Sequence, residues 1–356
     1  MSIARLAVRS TSEAWRANQP FLMTVITYVL LALIAAVHWK IAINLKIYNR
    51  NFLFFGATVT LILLAVVLIR LTIQRPEQPL RAMKDLMLAN NLPDRIAAGL
   101  PIALVIPLFF SMFTSIKGGI SKIQPFYADT PLVAIDRAIH GGVDAWRFFH
   151  PVLGFGPMTF SLNILYNLWF AEVFIVLFCV AFSTRNGRLR SQFLVTFVLT
   201  WVLIGNVLAA AFASVGPAFV MPFYGEGTFS PLMDYLQTTN LTYPVSALGT
   251  QNYLLANAGL DGPRLGSGIS AFPSLHVAVA TLNAIYLWRF GRLLRWASIA
   301  FLAAIQLGSV HLAWHYAVDG YASMLLTPII WAIAGRLSNA QPGLQIVMKD
   351  RRVEMD

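Results

Sequence analysis

Three ionisable side chains near the end of the chain have types and spacing that could support acid–base or nucleophilic chemistry. His311, His315 and Asp319 follow one another at intervals of four residues in the stretch SVHLAWHYAVDGYAS. On a helix this spacing places all three on one face. A carboxylate one turn from a histidine can hold the imidazole in one tautomer and stabilise its cationic form, and Asp319 suits that role toward His315.

A second polar group stands at the start of an apolar stretch, SAFPSLHVAVATL, residues 270–282. Proline fits the first turn of a helix because its missing N–H costs nothing there. Pro273 therefore predicts a helix start that carries Ser274 and His276 in its first turn. The free N–H groups of a helix start suit an anion such as phosphate. The alternative interpretation is a capped membrane helix with an incidental histidine.

Two chemistries fit these side chains. His276, His311, His315 and Asp319 are four possible metal ligands. In phosphoryl transfer, His315 would attack phosphorus, Asp319 would orient it, and His276 would protonate the leaving group.

The segment KGGISKIQP, residues 117–125, favours the second chemistry. It places Lys117 and Lys122 beside a flexible Gly-Gly pair. Lysines serve a phosphate and would repel a metal ion, so we favour phosphoryl transfer over a metal centre.

The composition predicts that a membrane holds these groups. Hydrophobic residues make up 58% of the 356 residues and charged residues only 12%, with a mean hydropathy of +0.67. Soluble domains carry roughly 25% charge, so we expect an all-α integral membrane protein. Spans of about 20 apolar residues are expected at eight places: 21–39, 52–73, 96–116, 160–182, 192–213, 273–290, 294–312 and 316–335.

Basic residues predict the orientation of these spans. Of the 26 lysines and arginines, 18 fall in segments that share one side if both termini are cytoplasmic, and 8 fall on the other side. This bias indicates basic cytoplasmic loops rather than nucleic-acid binding, despite the net charge of +11. Residues 117–159, 214–276 and 309–319 then meet on the outer face. We expect an interfacial helix near Leu132–Phe149 and a long loop over 214–272.

Three short motifs resemble the signatures of the type 2 phosphatidic acid phosphatase superfamily, which are K-x6-R-P, P-S-G-H and S-R-x5-H-x3-D. The matching stretches begin at Lys117, Pro273 and Gly308. The stretches AFPSLH and HYAVD most resemble the inositol phosphorylceramide synthase (Aur) branch, whose members move a phospho-headgroup between lipids. The resemblance implies a six-helix catalytic core over 96–336. Residues 1–95 would add two helices, and 337–356 would form a cytoplasmic tail.

The same resemblance assigns roles to individual residues. His315 would be the nucleophile that forms a phosphohistidine, Asp319 its partner and His276 the general acid and base. Lys117 and the N–H groups around Ser274 would hold the phosphate. The superfamily uses no metal or other cofactor, which counts against a zinc site.

Departures from the signatures bear on the substrate. Gln124 and Ser309 stand where the first and third signatures have arginine, and Leu275 replaces a glycine. Losing two guanidinium groups removes bidentate phosphate contacts that lysine cannot copy. Either another basic residue restores the charge, or the substrate is a phosphodiester, which carries one negative charge. The candidates for that basic residue are Lys122, Arg137 and Arg264.

The sequence thus predicts a lipid phosphotransferase that uses membrane lipids as donor and acceptor. A lipid phosphate phosphatase, acting on phosphatidic acid or a polyprenyl phosphate, and a non-enzymatic transporter are the alternatives. We expect a bacterial inner membrane with the site facing the periplasm, or a Golgi-type endomembrane in a eukaryote. His311 is either a neighbour that supports the site or one more polar group of the outer leaflet. Headgroup, acceptor and oligomeric state stay open.

Overall fold

A computed structural model describes the backbone of residues 3–260 and 262–339, and the side chains of 16–260 and 262–338. Its regular structure is helical throughout these ranges. The α-helices are α1 (Ile3–His38), α2 (Asn49–Gln74), α3 (Pro79–Ala89), α4 (Leu92–Gly118), α5 (Ile120–Ile123), α6 (Asp129–Ile139), α7 (Ala145–Leu153), α8 (Gly156–Ala181), α9 (Gly187–Val202), α10 (Ala209–Ala211), α11 (Val220–Tyr224), α12 (Ser230–Asn240), α13 (Ser246–Asn257), α14 (Leu275–Leu287), α15 (Arg292–His311) and α16 (Ala317–Asn339).

The expected all-α integral membrane class is confirmed. Seven stretches of the described chain are long and apolar enough to cross a membrane. They are Arg16–His38, Asn49–Gln74, Leu92–Gly118, Gly156–Ala181, Gly187–Ala211, Arg292–His311 and Ala317–Ser338. Each coincides with a predicted span.

The eighth predicted span, 273–290, is a shorter helix than expected. α14 has 13 residues, which is about 20 Å at 1.5 Å per residue and less than the roughly 30 Å hydrocarbon core of a bilayer. Most of its side chains are buried, because it packs against α8, α9, α15 and α16. α14 is therefore the central helix of the bundle, and its start lies inside the protein.

The two N-terminal helices differ in how they join the bundle. α1 packs on α4 and α9, and the Tyr28 hydroxyl donates to Oδ1 of Asn206 at 2.6 Å. α2 has no buried residue, so lipid would cover it on nearly every side. The domain boundary predicted at residue 95 stays a prediction.

The predicted span 192–213 is present but not regular. α9 gives way to a π-helical turn over 203–208 before the short α10. Gly205 lies within this turn, and a Cβ atom there would meet the Phe113 ring at 2.7 Å. The irregular turn thus lets α9 and α10 approach α4 closely.

Two expectations about the connecting segments are wrong in detail. The interfacial helix expected over Leu132–Phe149 is two helices, α6 and α7, because Gly141 and Gly142 turn the chain with φ of +69° and +88°. The stretch 214–272 is not simply a loop, since α11, α12 and α13 lie within it. These short helices cover the end of the bundle where α14 begins.

Candidate active site

His276 is held at the start of α14. Ser274 is the N-cap, and its hydroxyl accepts a hydrogen bond from the N–H of Val277 at 3.4 Å. Pro273 lies just before the cap, not in the first turn as expected, and His276 is the second residue of the helix. The Ser274 hydroxyl is thus occupied by the helix start.

Aromatic rings from α8 surround the imidazole of His276. The ring centroids of Trp169 and Tyr166 lie 4.2 Å and 4.7 Å from that of His276. The indole N–H of Trp169 also donates to the carbonyl oxygen of His276 at 3.0 Å. These contacts fix the position of His276 and keep bulk water from most of its ring.

His311, His315 and Asp319 do not share one helix, which corrects the sequence expectation. α15 ends at His311, Ala313 turns the chain with φ of +62°, and α16 begins at Ala317. The carbonyl oxygen of Ser309 accepts the N–H groups of both Trp314 and His315, at 2.9 and 3.0 Å. His315 is therefore presented by a tight turn between two helices.

His315 and Asp319 nevertheless form the expected pair. Nδ1 of His315 lies 3.2 Å from Oδ2 of Asp319, and the N–H of Tyr316 donates to the same oxygen at 3.1 Å. Asp319 is fully buried. When Nδ1 carries the proton that faces the carboxylate, Nε2 of His315 is left as the nucleophilic nitrogen.

The two imidazoles are neighbours in an edge-to-face arrangement. Their ring centroids lie 6.2 Å apart at an interplanar angle of 62°. Reacting atoms in a near-attack geometry are about 3–3.5 Å apart, and the centroid distance is compatible with one phosphoryl group within reach of both rings.

The helix starts that carry these histidines are tied together. The N–H of Ser274 donates to the carbonyl oxygen of Asp319 at 3.1 Å, and the hydroxyl of Ser323 donates to the carbonyl oxygen of Ser274 at 2.8 Å. The positive ends of two helix dipoles, those of α14 and α16, therefore meet at the site. This arrangement favours an anion.

Lys117 lies at the end of α4 and is close enough to His276 for their charges to interact. It lines a cavity of about 420 Å³ together with Lys122. Lys117, Gly118 and Lys122 line one wall of this cavity, and Leu254, Gly268 and Ile269 line another. Gly268, at φ +105°, lets the second wall touch the first, since a Cβ atom there would lie 2.9 Å from the carbonyl of Lys117.

Three other predicted phosphate-binding residues have different surroundings. Gln124 and Arg264 are exposed, and neither lines the cavity. Ser309 is fully buried, and its hydroxyl donates to the carbonyl oxygen of Gln306 at 2.8 Å. Arg137, considered as a substitute for the lost arginines, pairs with Asp144 at 2.6 Å. Lys122 is the substitute that shares the cavity with Lys117.

His311 points away from the His315–Asp319 pair. Its Nε2 lies 2.8 Å from the hydroxyl oxygen of Thr159, and its ring packs on His150 and Tyr235. The four-ligand metal set considered from the sequence is therefore not assembled. Among the described side chains, no group of three or more His, Cys, Asp or Glu could hold a metal ion.

Asp129 was missed by the sequence reasoning, although it is the most completely bonded carboxylate near the site. It accepts the N–H groups of Val215 and Gly216 at 2.8 and 2.9 Å and the hydroxyls of Tyr224 and Tyr316 at 2.7 and 2.8 Å. Burial raises the pKa of both tyrosines, so they stay protonated as donors. Asp129 thus anchors the residue that follows His315.

Asp136 was missed as well and supports the start of α16 from the other side. It accepts the N–H of Val318 at 3.0 Å and that of Ala145 at 3.2 Å. Burial raises the pKa of Asp136. A local signal existed for Asp129, because α6 begins there. The main partners of both aspartates lie far away in the sequence, such as Val318 for Asp136.

One family model matches the chain, that of the PAP2 superfamily, over residues 130–333. No curated protein and no solved structure shows a significant match. The matched region runs from α6 to α16 and includes His276, His315 and Asp319, whereas Lys117 precedes it. Because the match covers more than half of the 356 residues, the chain belongs to the PAP2 superfamily.

Proposed function

We propose that the protein is a membrane-bound phosphotransferase that moves a phospho-headgroup from one lipid to another through a phosphohistidine on His315. Membership of the superfamily supports a lipid enzyme of the phosphatase or phosphotransferase type. The observation that carries the proposal is the pair of neighbouring imidazoles, with ring centroids 6.2 Å apart, one of them backed by a buried carboxylate.

The reaction has two steps. Nε2 of His315 attacks phosphorus, the bond from phosphorus to the leaving oxygen breaks, and the His276 imidazolium gives its proton to that oxygen. In the second step an acceptor hydroxyl loses its proton to His276 and attacks phosphorus, and the phosphorus–nitrogen bond breaks. Asp319 stabilises the positive charge on His315 in both steps.

Three features support a diester donor over a phosphate monoester. The signature arginines are replaced by Gln124 and Ser309, and the Ser309 hydroxyl is used inside the protein. A diester carries one negative charge, and Lys117 with two helix starts is a modest positive environment that suits it. The cavity of about 420 Å³ beside Lys117 also falls in the range of sites that hold a whole small molecule, which is larger than a phosphate group requires.

The packing around His276 supports transfer over hydrolysis. Tyr166 and Trp169 cover its ring. A phosphohistidine that is to wait for a lipid hydroxyl must be shielded from water. The resemblance of AFPSLH and HYAVD to inositol phosphorylceramide synthases points the same way. We place the site on the non-cytoplasmic face, as the bias in basic residues suggests.

Reconstituted protein tests the proposal directly. Vesicles would contain a fluorescent glycerophospholipid with a phosphodiester headgroup and, separately, phosphatidic acid, each with a lipid alcohol as acceptor. We expect a new headgroup-bearing lipid from the diester, little inorganic phosphate from phosphatidic acid, and neither product with His315→Ala. Rapid release of phosphate from phosphatidic acid without any transferred headgroup would instead establish the lipid phosphatase. Metal analysis of the active protein tests the metal-dependent alternative separately.

A further inference from the structure

We infer that the hydroxyl of Tyr166 and the indole N–H of Trp314 donate hydrogen bonds to the non-bridging phosphoryl oxygens, in place of the missing arginines. This inference rests on the proposed phosphoryl transfer. It assigns two further residues to the reaction. Tyr166 lies outside the three signature stretches, and Trp314 occupies a position that the third signature leaves unspecified.

Tyr166 lies beside His276, and Trp314 lies beside Tyr166. The ring of Tyr166 stacks on His276 with centroids 4.7 Å apart and an interplanar angle of 25°. The indole of Trp314 runs nearly parallel to Tyr166, at 6.3 Å and 6°, and Trp314 directly precedes His315 in the chain. The phenol of Tyr166 thus contacts His276 and packs beside the indole of Trp314.

Neither polar atom has a partner within the described part of the protein. Tyr166 is 5% exposed, and its hydroxyl and Nε1 of Trp314 are both buried without a hydrogen bond. Unpaired buried donors are costly and uncommon in folded proteins. Other buried hydroxyls near the site are bonded: that of Tyr235 to Thr159 at 2.7 Å and that of Tyr316 to Asp129 at 2.8 Å. Within the described protein, these two donors therefore remain available to a bound phosphoryl group.

Neutral hydrogen-bond donors suit a phosphodiester that is bound without the two signature arginines. A phosphodiester has two non-bridging oxygens that share one negative charge, and negative charge on the phosphoryl oxygens must be stabilised as His315 attacks. Donors fixed in a site with little water stabilise such oxygens effectively without carrying a formal charge. Two neutral N–H or O–H groups beside Lys117 would suit a diester better than a doubly charged monoester.

Tyr166→Phe is the sharpest variant, because it keeps the ring on His276 and removes only the hydroxyl. Loss of one donor to a reacting oxyanion lowers kcat by roughly 10²–10³-fold in well-studied cases. Because Trp314 and Lys117 would also stabilise the phosphoryl oxygens, we expect the loss of the Tyr166 hydroxyl to lower kcat for headgroup transfer about 10–100-fold. KM should change little. Inhibition by orthovanadate, which mimics pentacoordinate phosphorus, should weaken by a similar factor.

Tyr235→Phe is the matched control, since the Tyr235 hydroxyl bonds to Thr159 and not to His276 or His315. It should leave kcat and the vanadate inhibition constant close to wild type. Trp314→Phe provides a second variant that removes only the other donor from an aromatic ring, and it should weaken vanadate inhibition too. The vanadate constant does not depend on the folded fraction, so a partly unfolded preparation still gives a decisive answer.

The failure of this inference is distinguishable from that of the proposed function. If wild-type protein forms a phosphohistidine and transfers headgroups, but Tyr166→Phe keeps its kcat and vanadate constant, the inference is overturned. A raised KM with unchanged kcat would also overturn it, because the hydroxyl would then serve ground-state binding alone. If wild-type protein neither transfers a headgroup nor labels His315, the proposed function itself fails.

Discussion

Two buried aspartates, Asp129 and Asp319, hold the same short turn from different sides, yet their oxygens are used in opposite ways. Asp129 is 4% exposed and accepts four hydrogen bonds, two from backbone N–H groups and two from tyrosines. Asp319 is fully buried, its Oδ2 receives His315 and the N–H of Tyr316, and its Oδ1 has no partner in the described protein.

This difference in hydrogen bonding indicates a structural role for Asp129 and a catalytic role for Asp319. A buried carboxylate whose oxygens are all bonded stabilises one geometry and has no capacity left. A buried carboxylate that backs an imidazole stabilises positive charge that appears only during the reaction. Asp129 should therefore matter chiefly for stability and Asp319 chiefly for turnover, although both lie within reach of Tyr316.

His315→Ala is the variant with the largest expected effect, and it tests whether the His315–Asp319 pair is catalytic. Removal of the nucleophile in His315→Ala should lower headgroup transfer by on the order of 10⁴-fold or more, since the variant lacks the nitrogen proposed to bond to phosphorus. The thermal unfolding midpoint in detergent should change little. Phosphohistidine labelling followed by peptide mapping checks the assignment, and full turnover in this variant would remove it.

Asp319→Asn tests the partner of that nucleophile with almost no change in shape. An amide cannot stabilise the His315 imidazolium and favours the wrong tautomer, so we expect turnover to fall roughly 10²–10⁴-fold. The amide oxygen can still accept the N–H of Tyr316, so the unfolding midpoint should stay near wild type. Single-turnover kinetics of phosphohistidine formation measure the effect, and a variant that loses stability without losing turnover would reverse the comparison.

Asp129→Asn should behave in the opposite manner. The amide nitrogen cannot accept two of the four hydrogen bonds, and hydrogen bonds to a charged group contribute about 1.5–3 kcal/mol each. We expect the free energy of unfolding to fall by about 2–4 kcal/mol and turnover per folded molecule to fall less than tenfold. Parallel unfolding and activity measurements on one preparation test this, and unchanged stability with abolished turnover would show that Asp129 takes part in the chemistry.

Much of the fold was predictable because membrane helices depend on local composition. Each of the seven apolar stretches that could span the bilayer was visible as a largely hydrophobic run. The short α14 was overestimated, because its apolar run continues past Leu287 while the helix does not. Apolar composition sets the presence of a helix more reliably than its ends.

The site was predictable in part, for a related reason. Short-range motifs bring His276, His315 and Asp319 to attention, and the pairing of His315 with Asp319 follows from their spacing. The turn at Ala313 was not predictable, since HLAWHY has no glycine or proline to mark it. The Asp129 network was hidden because its partners are 86 to 187 residues away. Only tertiary packing brings them together.

His311→Gln is the variant with the smallest expected effect. His311 is a buried polar residue of the same sequence cluster as His315 and Asp319, but its contacts are with neither Asp129 nor Asp319. Its Nε2 lies 2.8 Å from the Thr159 hydroxyl oxygen, at the contact between α15 and α8. In His311→Gln, the amide can keep one hydrogen bond to Thr159. We expect turnover within about threefold of wild type and a loss of stability of about 1 kcal/mol, the value of one neutral hydrogen bond.

The pH–rate profile makes this last test decisive. If His311 only joins two helices, the His311→Gln profile should superimpose on that of wild type, because in the proposed mechanism His276 exchanges protons with the substrate and His315 bonds to phosphorus. A shifted profile, or a loss of turnover comparable to that of Asp319→Asn, would mean that His311 is coupled to the reacting pair. The i, i+4, i+8 spacing would then reflect a functional unit even though no single helix carries it.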